Sequence, residues 1–107
     1  MMEVRLRAEA FADLEAACSY YSQIRPDLAL QFLDVFESMV ELLGANPQLG
    51  HVIRSDRPEL ASVRQLVLSK PFQRYVVFYV IGIECISVLK IIHGSQDLLS
   101  LLLPSDS

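Results

Sequence analysis

The chain of 107 residues lacks the features that mark several large classes of protein. Its cysteines, Cys18 and Cys85, show neither the CxxC nor the Cys/His spacing of a zinc site. We therefore expect both to be reduced thiols that pack against other residues and bind no metal. No apolar run approaches the ~20 residues that cross a bilayer, and none precedes the first charges, Glu3 and Arg5. A phosphate-binding glycine loop and an internal repeat are also missing. These absences predict a cytoplasmic protein with no cofactor and no membrane contact.

The chain also lacks a strong excess of positive charge. Its formal net charge is −4, although the charges are unevenly distributed. Residues 1–44 hold eight acidic and three basic side chains, whereas residues 51–93 hold three acidic and six basic ones. Nucleic-acid-binding proteins usually carry more positive charge, because phosphate contacts dominate their affinity. The distribution therefore permits an anionic partner without requiring one.

What the chain does have is apolar residues in regular patterns. Because 52% of its residues are hydrophobic, we expect residues 1–107 to form a single domain with its own core. Apolar and charged residues alternate from Met2 to Arg7, which is typical of a half-buried edge strand. From Ala8 the spacing becomes helical and predicts a first helix to about Gln23. The residues expected on its buried face are Phe11, Leu14, Cys18 and Tyr21.

A second helix is predicted to follow almost at once. Pro26 suits the first position of a helix, and Gly44 followed by Asn46 and Pro47 ends it. The short link predicts an antiparallel hairpin whose apolar stripe needs a sheet to cover it. The stripe consists of Ala29, Phe32, Phe36, Met39 and Leu43.

The last third of the chain has the interleaved pattern of an antiparallel sheet. Three strands are expected, at Ser62 to Leu68, Arg74 to Ile81 and Cys85 to Ile92. Both faces of the last two are apolar, and only the short apolar segment Leu98 to Leu103 remains to cover the second face. The prediction is an α+β fold: an N-terminal strand, a helical hairpin, a three-stranded antiparallel sheet and a C-terminal apolar segment. Some apolar surface is expected to remain for a partner.

Polar residues concentrate where the last predicted strand ends. His93 at this position suits either a general acid or base, or a local hydrogen bond in a turn. Arg64 and Arg74 lie among apolar neighbours, where an arginine needs a partner. Either an ion pair with Asp97 or Glu84, or contact with a phosphate or carboxylate, satisfies that need. The residues from Ser95 to Asp97 also suit the N-terminal cap of a helix.

A series of spaced residues runs through most of the chain in a fixed order. It consists of Ala10, Asp13, Leu14, Ala17, Tyr20 and Tyr21, then Ala29 and Phe32, then Leu43, Pro47 and Gly50, then Val63, Arg64, Phe72, Arg74 and Tyr79, and finally Ile91, Ile92, His93, Gly94 and Asp97. In this order and spacing the chain resembles the RelE/ParE superfamily of type II toxin-antitoxin toxins, and its ParE-like branch in particular. The resemblance runs from Val4 to about Asp97, and it implies the same helical hairpin against an antiparallel sheet.

The resemblance implies a toxin of a plasmid-stabilisation type system that a cognate antitoxin protein neutralises. ParE-like members are implied to poison DNA gyrase by protein contact, whereas RelE-like members cleave mRNA on the ribosome with several basic groups. Gln96 stands where an arginine is common, and the leucines after Asp97 offer no proton donor. We therefore favour a protein-binding toxin over an enzyme.

Two alternatives stay open, and so does the oligomeric state. One is a RelE-like endoribonuclease with Arg64, Arg74 and His93 as its catalytic candidates. The other is a diverged interaction module that has lost its toxicity. The candidate target-binding residues are Arg64, Arg74, His93, Gln96, Asp97, Leu98 and Leu101. Because neighbouring antiparallel strands bring their ends together, we expect the first five of these to converge at one end or edge of the sheet.

Overall fold

The computed structural model describes residues 1–94. Within this range two helices and five strands follow one another, with one 3₁₀ turn at Pro58–Leu60. The elements are β1 (Glu3–Leu6), α1 (Ala8–Ile24), α2 (Pro26–Ala45), β2 (His51–Val52), β3 (Arg64–Val67), β4 (Tyr75–Ile81) and β5 (Cys85–His93). The α+β class is therefore confirmed. The predicted helix ends at Gln23 and Gly44 each lie one residue before the observed ones.

The sheet is mixed, and the prediction of a three-stranded antiparallel sheet is wrong in this respect. Its five strands have the order β1-β5-β4-β3-β2, and β1 pairs with β5 in parallel, from Glu3 beside Cys85 to Leu6 beside Val88. Alternation along Met2 to Arg7 indicates a strand but carries no information on its direction. No tight turn joins β1 to β5, so the parallel direction meets no constraint from a hairpin. The short strand β2 adds a fifth member at the opposite edge.

The helical hairpin bends at a single residue. Arg25 has φ −159° and ψ 133°, an extended conformation, and Pro26 follows at the start of α2. A residue before proline is pushed away from helical angles, which separates the two helices at this point. At the far end of α2, Met2 donates its main-chain N–H to the Gly44 carbonyl at 2.9 Å. A side chain at Gly44 would come within 2.8 Å of the Met2 carbonyl oxygen, so glycine allows β1 to begin against α2.

The main core lies between the hairpin and one face of the sheet. Phe36 and Met39 are 3% and 6% exposed, which confirms that the stripe of α2 is buried there. The sheet residues that meet this core include Val77, Tyr79, Ile86 and Val88. Phe11 is the exception among the predicted buried residues, because α1 turns Ala10 and Ala17 into the core and leaves Phe11 53% exposed.

The second face of the sheet is covered by the loop between β2 and β3. Leu60 and Val63 from this loop pack with Phe78 and Ile92 into a second buried cluster. The loop folds back over the sheet because the 3₁₀ turn compacts it and Ile53 donates its N–H to the Val63 carbonyl at 3.0 Å. The expectation that only residues 98–103 could cover this face is therefore wrong. That segment lies outside the described residues.

Candidate functional site

One end of the sheet brings two of the predicted site residues together. Tyr75 at the start of β4 lies opposite His93 at the end of β5, and their rings meet edge to face at 5.2 Å between centroids. In the turn before β4, the Arg74 carbonyl accepts the Gly94 N–H at 2.6 Å. The Arg74 side chain is exposed beside them. The antiparallel pairing of β4 and β5 therefore places Arg74 next to the His93 region.

Arg64 does not join this group. It lies opposite Tyr79, and Tyr79 is five residues beyond Arg74, or roughly 16 Å along a strand at about 3.3 Å per residue. Its Nη1 donates to the Gly50 carbonyl at 2.8 Å. The neighbouring Tyr79 hydroxyl accepts the Gly50 N–H at 2.8 Å and donates to the Pro47 carbonyl at 2.7 Å. Arg64 thus stabilises the loop that follows α2 through its hydrogen bond to the Gly50 carbonyl.

A cavity of about 380 Å³ opens between α1 and this end of the sheet. Its lining consists of Asp13, Ala16, Ala17, Tyr20, Tyr75, Ile91 and His93. The sequence singled out His93 but assigned no site role to Asp13, Tyr20 or Tyr75. Asp13 and Tyr20 are seven residues apart, which is two helical turns, so the spacing already placed them on one side of α1.

A β-bulge in the pairing of β4 with β5 lies close to the residues that contact Asp13. The register shifts between Phe78 and Tyr79, where Leu89 on β5 is the extra residue. Two residues after it, Ile91 donates its main-chain N–H to Asp13 Oδ2 at 3.0 Å. Lys90 Nζ lies 3.4 Å from the same oxygen, and both side chains of this ion pair are about a quarter exposed, at 25% and 24%. The bulge thus lets β5 bind the Asp13 carboxylate through both main chain and side chain.

Tyr75 lines the cavity with a hydroxyl group that resists deprotonation. Burial raises the pKa of Tyr75, and a side-chain hydrogen bond with Tyr21 raises it further. The Tyr75 hydroxyl therefore keeps its proton at physiological pH and can donate a hydrogen bond. Its ring packs edge to face against Phe32 at 5.0 Å and tilted against Tyr21 at 6.2 Å, so the main core fixes its position.

The described residues supply little of what phosphodiester cleavage requires. That reaction needs cationic groups for the developing charge and a group that moves the proton. Among residues 1–94 this end of the sheet offers the exposed Arg74 and His93, whereas Arg64 binds a main-chain carbonyl. The other candidates, Gln96, Asp97, Leu98 and Leu101, lie outside the described residues. Within residues 1–94 we find neither a metal-binding group of side chains nor a helix able to cross a membrane.

An apolar groove on the hairpin is the second distinctive surface. It has a volume of about 580 Å³ and lies between α1, α2 and the end of β1. The lining consists of Leu6, Phe11, Leu14, Leu33, Phe36, Glu37, Val40 and Glu41. Phe36 is almost fully buried, Phe11 is half exposed, and the side chains of Glu37 and Glu41 reach solvent. The surface combines an apolar interior with two carboxylates one helical turn apart.

Comparisons with known proteins give a family for the chain and a similar solved fold. The family model described as "ParE toxin of type II toxin-antitoxin system, parDE" matches residues 4–98. A solved chain of the "Chromosomal ParDE TA system from P. aeruginosa" is similar in fold, with a TM-score of 0.69 and 24% sequence identity. The superposition covers 87% of this chain and 96% of that one. No curated protein matches the sequence. Since the family model spans most of the chain, the protein belongs to the ParE toxins of type II toxin-antitoxin systems.

Proposed function

We propose that this toxin acts by binding a protein target in the cytoplasm, and that a cognate antitoxin neutralises it by occupying the apolar groove. DNA gyrase is the target that the resemblance to ParE implies. The observation that carries the antitoxin part is the half-exposed Phe11, which leaves apolar surface open between the two helices. Monomeric proteins rarely leave contiguous apolar surface unused.

The groove favours an amphipathic helix with basic residues as its occupant. A helix can place apolar side chains at i, i+3 or i+4 and i+7 into such a groove. Glu37 and Glu41 lie at this surface and attract Lys or Arg from the opposite side of the interface. The solved relative comes from a ParDE system, which supports an antitoxin as the partner of this chain too.

Truncation of Phe11 tests the groove. Phe11→Ala should weaken binding of the antitoxin encoded beside the toxin gene by at least tenfold, about 1.4 kcal/mol. Leu30→Ala is the matched control, because Leu30 is also on the hairpin and 64% exposed but does not line the groove. Isothermal titration with both purified proteins gives the affinities. Equal losses in the two variants, or none in Phe11→Ala, would exclude the groove as the antitoxin site.

The mode of action is separable by two activity assays. We expect the purified toxin to inhibit supercoiling by gyrase and to leave mRNA on translating ribosomes intact. Support comes from the sheet end, where the described residues place Arg74 and His93 together but leave Arg64 elsewhere. Codon-specific cuts that Arg74→Ala abolishes would favour the endoribonuclease instead.

The residues that carry toxicity are proposed to lie at this sheet end and beyond it. Arg74 and His93 would orient the target, together with Gln96 and Asp97, while the leucines at 98 and 101 add apolar contact. Expression without antitoxin compares the intact chain, a chain ending after Asp97, and Arg74→Ala. Equal growth arrest in all three, at equal folded protein, would place the active surface elsewhere. Absence of arrest by the intact chain would favour the inactive interaction module.

A further inference from the structure

The cavity at the sheet end has a lining that suits a planar cation. The aromatic rings of Tyr20, Tyr75 and His93 form its walls, and Ala16 and Ala17 leave room between them. The Asp13 carboxylate supplies the negative charge. Ile91 donates its N–H to Asp13 Oδ2 at 3.0 Å, and Lys90 Nζ lies 3.4 Å from Oδ2 and 3.5 Å from Oδ1, whereas a carboxylate accepts about four hydrogen bonds. Asp13 therefore retains capacity for another donor.

We propose that this cavity binds the guanidinium group of an arginine on the protein target of the toxin. A guanidinium group stacks on tyrosine faces and holds several donors in one plane, so that one of them can reach the remaining acceptor position of the carboxylate, whereas an ammonium group stacks less well. The volume of about 380 Å³ is near the lower end of ligand sites, so it suits one long side chain rather than a chain segment. This inference rests on the proposed function, because it assigns one contact of the target.

An anionic or nucleotide ligand fits the lining less well. Asp13 would repel a phosphate group, and neither its ion-pair partner Lys90 nor the exposed Arg74 is among the residues that line the cavity. Burial keeps the Tyr75 hydroxyl protonated, so the aromatic wall adds no second negative charge that would favour a metal ion. The cavity offers an arginine side chain both a carboxylate and aromatic rings.

The cavity and the apolar groove lie on opposite sides of α1. Successive helical residues are turned by about 100°, which puts Asp13 and Tyr20 roughly opposite Phe11 around the axis. The two linings share no residue. An antitoxin helix in the groove therefore leaves the arginine site separately testable.

A titration with small probes tests the site on the full-length, isotopically labelled toxin. We expect N-acetyl-arginine amide to shift the NMR signals of Tyr20, Ile91 and His93, and to bind at least fivefold more tightly than the citrulline analogue. Citrulline has the same shape but no charge. The lysine analogue should bind more weakly than arginine. Equal affinity for arginine and citrulline, or tighter binding of uridine monophosphate, would overturn the proposal; the latter would indicate a nucleotide site.

Three variants assign the binding to the cavity. Asp13→Asn and Tyr20→Leu should each weaken the arginine probe at least fivefold, and Glu15→Gln should leave its affinity unchanged. Glu15 is an exposed carboxylate of α1 that does not line the cavity. Tyr20 is 58% exposed, so its replacement tests the wall without opening the core. Unchanged probe affinity in both cavity variants would overturn the assignment.

Growth arrest then connects the site to the target. Tyr20→Leu should arrest growth more weakly than the intact chain while it binds the antitoxin with unchanged affinity. Full arrest by a variant that no longer binds the probe would show that the target does not use this site. Absence of arrest or gyrase inhibition by the unaltered chain would contradict the proposed function, whereas the probe titration would still decide whether the cavity binds a guanidinium group.

Discussion

Removal of one hydroxyl group from the core should destabilise the loop that follows α2. Tyr79 is fully buried, and its hydroxyl donates to the Pro47 carbonyl and accepts the N–H of Gly50. Tyr79→Phe keeps the ring and deletes both hydrogen bonds. Gly50 is itself buried, so its N–H loses its partner without gaining contact with solvent. Pro47 is half-buried, and water can reach its carbonyl more readily.

The two lost bonds differ in cost. The bond to Pro47 should contribute about 1 kcal/mol, which is typical of a net hydrogen bond in a folded protein. The unpaired Gly50 N–H should cost about 1–2 kcal/mol, because a buried donor without a partner loses its hydration as well. We therefore expect the free energy of unfolding to fall by about 2–3 kcal/mol. For a domain of this size that corresponds to a melting temperature lower by roughly 10 °C.

Urea unfolding followed by circular dichroism measures the loss. Tyr20→Phe is the matched control, because Tyr20 is 58% exposed and removal of its hydroxyl should change stability by less than ~0.5 kcal/mol. The slope of free energy against urea should stay unchanged in both variants, since the surface exposed on unfolding is the same. A loss in Tyr79→Phe no larger than that of the control would refute the role of the hydroxyl in holding the loop.

Two further changes act on the same scaffold. Gly50→Ala should destabilise the fold by about 2 kcal/mol or more, because its Cβ would come within 2.6 Å of the Gln65 carbonyl oxygen and 2.8 Å of the Tyr79 ring. Thermal unfolding measures this loss, and an unchanged melting temperature would contradict it. Burial raises the pKa of Tyr75 above its ordinary value of 10.0, so its contribution to stability is complete below pH 10 and declines above it. The free energy of unfolding measured from pH 8 to 11 should therefore fall more steeply in the unaltered chain than in Tyr75→Phe, and identical slopes would count against the shift.

The helices were more predictable from sequence than the sheet. Spacing along α2 identified the buried stripe through Phe36 and Met39, because a long amphipathic helix repeats its signal over several turns. Pro26 and Asn46 marked its ends by local backbone chemistry. The direction of β1 and the two-residue strand β2 depend on pairing between distant segments, which local alternation does not encode. The coverage of Phe78 by Leu60 likewise depends on how a loop of irregular sequence folds back.

The candidate site was predictable only where strand neighbours determine it. Antiparallel pairing of consecutive strands was enough to expect Arg74 near His93. The cavity escaped prediction because Asp13 comes from α1 and reaches β5 at a bulge, and neither the bulge nor the packing of α1 on it has a sequence signal. The sequence favours an ion pair or an anion contact for Arg64, whereas its side chain donates to the Gly50 carbonyl, a main-chain group that no side-chain pattern indicates.

The parallel pairing of β1 with β5 makes completion of the sheet depend on synthesis of the last strand that the structure describes. Among the described strands β1 is the first to be made, and its neighbour in the sheet is the last. A nascent chain that stops before Cys85 therefore holds β1 without this partner, and Asp13 without its ligands on β5. Interrupted translation before β5 thus yields fragments without the assembled sheet, so the surfaces that β5 helps to form exist only in chains that contain this strand.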